Sequence, residues 1–301
     1  MFATSKRYGV VAVCVIAVIV ILFVVFGGEK SEPTPPPVSV VATTPAPTAV
    51  SPVHRVVGHS VSGRKIEQYT FGTGKTHLLF VGGMHGGYEW NSVVLAYEFI
   101  DYLNTPKNVP DGFTISVIPS ANPDGVFAVV GKEGEFTANE VRDVSKKPIG
   151  YGRLNAHDVD LNRNFDCNWK PSSMWRGTKV AAGSAPFSEP EAAAIRDAVA
   201  SDTPSAVVFW HSQSGSVYAS ECNKGILPET LHVMDVYAKA AGYTPIKKFD
   251  AYAITGDAEG WLASQNIPAV TVELTTHNTV EWKQNLAGVT AVFEYYENKS
   301  H

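Results

Sequence analysis

From Tyr8 to Phe26 every side chain is uncharged and most are strongly apolar. At a helical rise of about 1.5 Å per residue this run covers roughly 28 Å, close to the hydrocarbon thickness of a bilayer. Residues 1–28 therefore read as a transmembrane anchor that meets the lipid bilayer through residues 8–26. Lys6 and Arg7 precede the run and the next basic residue is Lys30, so the positive-inside rule places the remainder outside the cytoplasm. A cleaved signal peptide is the rival reading, with Val25 and Gly27 at suitable −3 and −1 positions, although the apolar run is longer than such peptides use. Both readings export the rest of the chain. Residues 29–53, rich in Pro, Thr, Ser and Ala and without hydrophobic period, predict an extended tether.

Beyond residue 53 apolar runs of strand length occur at His77–Val81, Thr114–Ile118, Ala206–Trp210 and Ala269–Val272. Segments with helical period separate them. Near residues 279–299, Trp282, Leu286, Val289, Phe293 and Tyr296 recur on one helical face. Further helices are expected at Asn91–Leu103, at Glu229–Ala241 and from Ser188, where Ser188 and Glu191 have capping-box spacing. The alternation predicts an α/β domain over 54–301, a mixed and largely parallel central sheet flanked by helices.

Composition narrows the function. Hydrophobic residues make up 45% of the chain and charged ones 18%, which supports a packed core and excludes a disordered chain. The first 53 residues remove three basic and two acidic side chains from totals of 24 and 29, leaving 21 and 27 and a net charge of −6. An acidic domain offers no electrostatic reason to bind nucleic acid, and no nucleic-acid partner is expected. Three cysteines are too few for a disulfide scaffold. Two motif-like stretches fail on inspection: Gly72–Thr76 resembles the end of a phosphate loop, but Tyr69 stands where its first glycine belongs. Gly58–Ser62 lacks the last glycine of a serine nucleophile elbow and reads as a turn ahead of the first buried strand.

Ligands in open α/β sheets bind beyond the carboxyl ends of strands. Three of the apolar runs end in suitable chemistry: His85 and Glu89 after the first, His211 after the third, Glu273 after the fourth. Two histidines and one carboxylate, with a fourth position open, form a catalytic zinc set, and the remaining carboxylate can serve as general base toward a metal-activated water. Singly, each residue also has an ordinary structural explanation, since a histidine at a strand end is more often a hydrogen-bonded support.

At this point the chain resembles the zinc carboxypeptidases of the carboxypeptidase A type, particularly their bacterial branch acting on cell-wall peptides. The likeness is carried by Gly58–Arg64, Gly82–His85, Pro186–Glu191, His211–Ser212, Tyr252–Gly256 and Val272–Leu274, and most strongly by Arg153–Phe165, which is similar to the family's R-x-N-x-x-x-V-D-x-N-R-N signature. The resemblance implies that His85, Glu89 and His211 hold one Zn2+, that Glu273 is the general base, and that Arg153 stabilises the oxyanion. It further implies that Asn162 and Arg163 grip the free C-terminal carboxylate of a peptide substrate, that Tyr252 closes over the bound residue, and that Glu259 lies at the base of the pocket for the departing side chain. An acid there would favour lysine, arginine or diaminopimelate; the competing reading has Glu259 only capping a helix, as Asp257 would. Asp160 and Asn164 read as supports of the loop. The family's H-x-x-E spacing is here His85-Gly-Gly-Tyr-Glu89, one residue longer, and two glycines supply the backbone freedom to absorb it. Cys167 and Cys222 follow site motifs in an exported domain and are expected to form a disulfide, whereas Cys14 lies in the apolar run.

The sequence thus predicts a membrane-tethered, single-pass zinc metallocarboxypeptidase with its catalytic domain outside the cytoplasm, secreted if the amino-terminal segment is cleaved. A zinc deacylase or amidase on the same fold and a surface-displayed binding module with a decayed site are the alternatives.

Overall fold

The computed structural model describes residues 52–105 and 107–299. The apolar run at 8–26, the rest of segment 1–28, the tether up to residue 51, and Cys14 with them lie outside the described residues. Among the described residues no helix is long and apolar enough to cross a membrane.

The described residues form twelve strands: β1 Val53–His59, β2 Lys65–Gly72, β3 Thr76–Val81, β4 Phe113–Ile118, β5 Ser172–Trp175, β6 Thr178–Ala181, β7 Ala206–Ser212, β8 Ser216–Ala219, β9 Glu221–Cys222, β10 Gly225–Ile226, β11 Thr244–Ile246 and β12 Ala269–Leu274. Six helices accompany them: α1 Trp90–Leu103, α2 Pro123–Val130, α3 Pro190–Asp202, α4 Pro228–Ala241, α5 Ala258–Ser264 and α6 Trp282–Lys299. Eight strands make one mixed sheet in the order β1-β2-β4-β3-β7-β12-β8-β11, while β5–β6 and β9–β10 are separate two-stranded ribbons. The centre, β4-β3-β7-β12, is parallel throughout, and antiparallel pairings flank it.

Buried strands are apolar on both faces, which is why they read as continuous runs. Leu78 and Phe80 of β3, Val208 and Trp210 of β7, and Val270 and Val272 of β12 face a core shared with α1, α4 and α6. The intervening Leu79, Val81, Val207, Phe209 and Ala269 face α3 and α5. On this second face the period of two brings His211 of β7 and Glu273 of β12 to the same side, and the two are register partners. The chain leaves β3 for β4 on one side of it and later returns to β7 on the other. The sheet therefore reverses direction of construction between β3 and β7, the kind of crevice where α/β sheets bind ligands.

Two local expectations need correction. The helix expected from Ser188 starts at Pro190 with Glu189 as its cap residue and without a side-chain capping bond. Glu191 instead accepts from Val61 N at 3.0 Å and Asn155 Nδ2 at 3.1 Å, because the buried turn behind it offers those donors. The strand at residue 77 is also not the first: β1 and β2 precede it, and Gly58–Arg64 is their connection. There Ser60 Oγ donates to Asp124 Oδ1 at 2.7 Å, and Arg64 Nη1 donates to the same oxygen at 2.7 Å, so this hairpin is tied to α2.

Candidate active site

After β3 the backbone turns through Gly86 at φ +50°, a left-handed conformation that glycine adopts freely, into a short 3-10 turn over Gly86–Glu89. A Cβ on Gly86 would lie 2.6 Å from Gly152 O, and one on Gly87 would lie 2.5 Å from Val129 Cβ of α2. The two glycines thus let the turn sit directly against α2 and the loop that carries Arg153. Within this turn Glu89 points back toward His85. The ligand atoms of His85, Glu89 and His211 all lie within 4.8 Å of one another, and all three residues are buried. The extra residue in the spacing is absorbed by the turn.

The donor set fits a zinc ion. Two imidazoles and a carboxylate supply three ligands and leave a position open, the arrangement of a catalytic zinc site. Within the set His211 Nδ1 is 3.0 Å from Glu89 Oε2; outside it, His211 Nε2 is 3.3 Å from Glu259 Oε1. His85 Nδ1 is 3.6 Å from Asp160 Oδ1. Asp160 and Glu259 thus lie at ion-pair rather than hydrogen-bond distance from the two rings, where a carboxylate favours the orientation of a ligating histidine.

Charges in this crowded, dry site shift strongly. Burial depresses the His85 pKa well below its ordinary value, with Arg153 adding to the effect. For His211 burial acts the same way, but Glu89 and Glu259 outweigh it and push the ring up to about 10. Glu273 is pushed up to about 8, first by burial and then by Glu89. Its Oε2 is enclosed and has no hydrogen-bond partner. A carboxylate so placed is unlike the paired acids elsewhere in the domain, and it adjoins a cation-binding set.

Arg153 is 4% exposed. Its Nε and Nη2 donate to Asp160 Oδ2 at 3.0 and 2.9 Å, its Nη1 lies 3.7 Å from Glu89 Oε1, and its guanidinium stacks over Trp175 at 4.5 Å. Asn122 Nδ2 donates to Arg153 O at 3.0 Å and steadies its backbone. Arg163 is 2% exposed, and its only side-chain hydrogen bond among the described residues goes from Nη1 to Asn162 O at 2.5 Å. Its Nε has no partner, and no carboxylate forms an ion pair with it among the described residues. Asn162 Oδ1 accepts from Ala258 N at 2.9 Å, so the start of α5 fixes the side chain.

These residues line one cavity of about 820 Å³, together with Tyr252, Glu259, Thr271 and Glu273. Tyr252 lies in the loop before α5 and packs edge-on to Phe249 at 4.8 Å. The cap of α5 is Asp257, which accepts from Gly260 N at 2.7 Å. Glu259 is buried at the cavity wall, where it accepts from Thr271 Oγ1 at 3.0 Å and faces His211. Glu259 thus does not merely cap a helix. Burial pushes the Asp257 carboxyl up to about 6, with the charge of Glu259 adding to it. Cys167 and Cys222 form a disulfide with Cα atoms 6.2 Å apart, and it ties the β9–β10 ribbon to the cavity rim.

Sequence reasoning assigned no active-site role to Asp160 or His277. Asp160 was visible as the acid of the V-D-x-N-R-N signature, but its link to both Arg153 and His85 needs the fold. His277 follows Glu273 by four residues, and the same search beyond strand ends that found Glu273 could have reached it. Its Nδ1 is 2.7 Å from Ser212 Oγ, and its ring lies 4.6 Å from that of Tyr88.

The chain matches the family model described as zinc carboxypeptidase over residues 46–295. A curated relative, gamma-D-glutamyl-L-diamino acid endopeptidase 1 of Lysinibacillus sphaericus, is 27% identical over 238 residues, which take in 72% of this chain and 59% of the relative. The chain therefore spans less than two thirds of that relative's length. Bovine thrombin-activatable fibrinolysis inhibitor, in complex with tick carboxypeptidase inhibitor, shares the fold at a TM-score of 0.65 and 19% identity, covering 83% of this chain and 91% of that one. Murein-tripeptide amidase MpaA from Escherichia coli O157 does so at 0.58 and 22%, covering 80% and 90%. Because the family model takes in most of the chain and encloses the His85, Glu89 and His211 cluster, the chain belongs to the zinc carboxypeptidase family, a group of zinc-dependent hydrolases.

Proposed function

We propose that the domain is an extracytoplasmic, membrane-tethered metallocarboxypeptidase that releases a residue with a free carboxylate from a peptide, and that cell-wall stem peptides are its substrates. The observation that carries the reading is Arg163. A buried guanidinium without a carboxylate partner is costly, and burial of such a charge is tolerated where a ligand completes the pair. Its planar fork matches the terminal carboxylate of a peptide.

Zinc, when bound, supplies electrophilic polarisation of the scissile carbonyl and makes water acidic enough to attack near neutral pH. The chain's own residues do the rest. Glu273 takes the proton of the attacking water and delivers it to the leaving amine, a task for which its enclosed Oε2, free of any hydrogen-bond partner beside the metal-binding set, suits it. Arg153, fixed by Asp160, donates to the oxyanion in a water-poor site. Arg163 and Asn162 hold the leaving residue's carboxylate, and Tyr252 covers it. Glu259 faces the side chain of that residue, favouring a cationic one. The names of the endopeptidase and the murein-tripeptide amidase among the similar proteins support a substrate from the cell wall. The uncharged run at 8–26 supports the tether.

Turnover of a peptide ending in lysine or diaminopimelate should be compared with that of its C-terminal amide. The carboxypeptidase reading expects the amide to be cleaved far more slowly, and Glu273→Gln to abolish turnover while zinc content is retained. Equal cleavage of acid and amide would replace this reading by that of an amidase or endopeptidase without a carboxylate clamp.

A further inference from the structure

Two buried arginines line the cavity, and they are held in different ways. Arg153 is fixed through its side chain by Asp160 and Trp175. Arg163 has no such support: among the described residues no carboxylate pairs with it, and its Nη1 bonds only to the neighbouring Asn162 O. The place of its guanidinium is therefore set by the backbone that carries it.

That backbone rests on the start of α5. Phe165 N donates to Gly256 O and Gly256 N donates to Cys167 O, both at 2.8 Å, so the segment just after Arg163 pairs with Gly256 on both sides. A Cβ on Gly256, whose φ is +71°, would lie 2.3 Å from Arg163 O, so the two backbones are in contact. Two residues on, Ala258 N donates to Asn162 Oδ1 at 2.9 Å. The disulfide enters at the end of this pairing. Cys167 is bonded to Cys222 of β9, 55 residues away in sequence, and β9 lies against the first turn of α5, where a Cβ on Gly260 would come within 3.1 Å of Glu221 O. A closed ring results, running from Arg163 through Cys167 and Cys222 to Glu221, along α5, and back through Gly256 to the Arg163 backbone. The S–S bond is its covalent closure, and the remaining joints are neutral hydrogen bonds and packing. The metal-binding set and the base stand on other supports: His85 and Glu89 follow β3, His211 lies in β7 and Glu273 in β12.

We infer that the Cys167–Cys222 disulfide is a positioning element for the substrate's carboxylate. It holds Arg163 and Asn162 where they can grip that group, so substrate affinity depends on the redox state of a bond that takes no part in hydrolysis. The inference rests on the carboxylate clamp proposed above and deepens it by naming what sets its geometry. Bidentate pairing of a guanidinium with a carboxylate needs aligned donors, so a small shift of the Arg163 backbone weakens binding, while attack on the scissile bond is run by groups on the sheet. A second tie, from Thr255 Oγ1 to Ser173 Oγ at 3.1 Å, joins the loop of Tyr252 to β5 and persists when the disulfide opens, so affinity falls without being abolished. Both cysteines line the cavity and Cys222 is only partly buried, which gives a small reductant access. A water-soluble phosphine breaks the S–S bond, leaves two thiols and takes up an oxygen from water to become its oxide.

The test uses the full zinc-loaded chain, a peptide ending in lysine with a free carboxylate, and its C-terminal amide, below the unfolding midpoint of the reduced protein. On reduction KM for the acid should rise about tenfold or more with kcat within about twofold. The slow cleavage of the amide should not change, so preference for the acid narrows by the same factor. Reoxidation should restore the starting KM. The chain carrying both Cys167→Ser and Cys222→Ser should match the reduced protein and be insensitive to the phosphine; if it does not fold, the reduced native chain decides alone. Zinc content should be the same throughout. An unchanged KM after complete reduction, or a loss of kcat or zinc that marks general loosening of the site, overturns the inference and leaves the carboxypeptidase reading in place. Equal cleavage of acid and amide by the oxidised chain removes the clamp, and the inference with it.

Discussion

Replacing Asp160 by Asn preserves shape and removes one charge at the point where the buried Arg153 and a metal ligand share a support. In the native domain Asp160 is wholly buried, and its Oδ2 accepts both the Nε and Nη2 of Arg153. After the change Arg153 retains only the neutral amide oxygen, the more distant Glu89 at 3.7 Å and the face of Trp175. Removing one partner of a buried pair costs about 3–5 kcal/mol, and the amide still accepts one bond, so the lower end applies. At about 2–4 °C per kcal/mol for a domain of this size, Tm should fall by about 6–12 °C. The second effect concerns the metal. Oδ1 lies 3.6 Å from His85 Nδ1, and loss of an outer carboxylate of this kind lowers metal affinity by about 10–100-fold. Calorimetric unfolding of the metal-free and zinc-loaded protein, with zinc affinity from competition against a chelator, measures both. A drop in Tm with unchanged zinc affinity would confine Asp160 to holding Arg153. If neither changed, the account of Asp160 as the shared support would be wrong.

Three further outcomes are expected. Raised folded pKa values mean protons held more tightly in the folded state, so Glu273 at about 8 and His211 at about 10 contribute stability that declines as pH rises through them. His85, held low, acts in the opposite sense but only below its ordinary 6.5. The metal-free protein should therefore lose Tm steadily from about pH 6.5 to 8, and a flat or rising profile over that window would contradict the site electrostatics. Reducing the Cys167–Cys222 bond, whose cysteines are 55 residues apart, should cost about 4 kcal/mol in urea unfolding; a midpoint unaffected by reductant would contradict this. Gly87→Ala drives a methyl group into Val129 and Gly125 O, and should destabilise by about 1–3 kcal/mol while weakening zinc binding through the displaced Glu89, both measurable in the same calorimetric experiment.

Those parts of the fold whose signal is local could be read from sequence. The four buried parallel strands announced themselves because both faces are covered, and α6 because its apolar positions keep one stripe. β2 escaped notice because the polar residues Lys65, Glu67 and Gln68 interrupt its apolar pattern, although Gln68 is fully buried, its Nε2 donating to Asp202 at a distant helix end and to Ser116 on a neighbouring strand. Edge strand β1 carries mostly exposed side chains and so lacks a hydrophobic alternation. In the site, His85, His211 and Glu273 were legible since each terminates an apolar run. Asp160 and His277 were not, because their meaning lies in contacts with Arg153 and Ser212, residues 7 and 65 positions away. Glu259 was placed in the cavity by resemblance, but its contact with His211 arises from the way α5 folds back beside β12.

The last strand to be synthesised, β12, enters the interior of the sheet between β7 and β8 rather than its edge. A chain emerging in order therefore presents His85, Glu89 and His211 while the slot beside β7 is still open and Glu273 is missing. Glu273 therefore joins the cluster only as the interior of the sheet closes, which ties completion of the site to completion of the core.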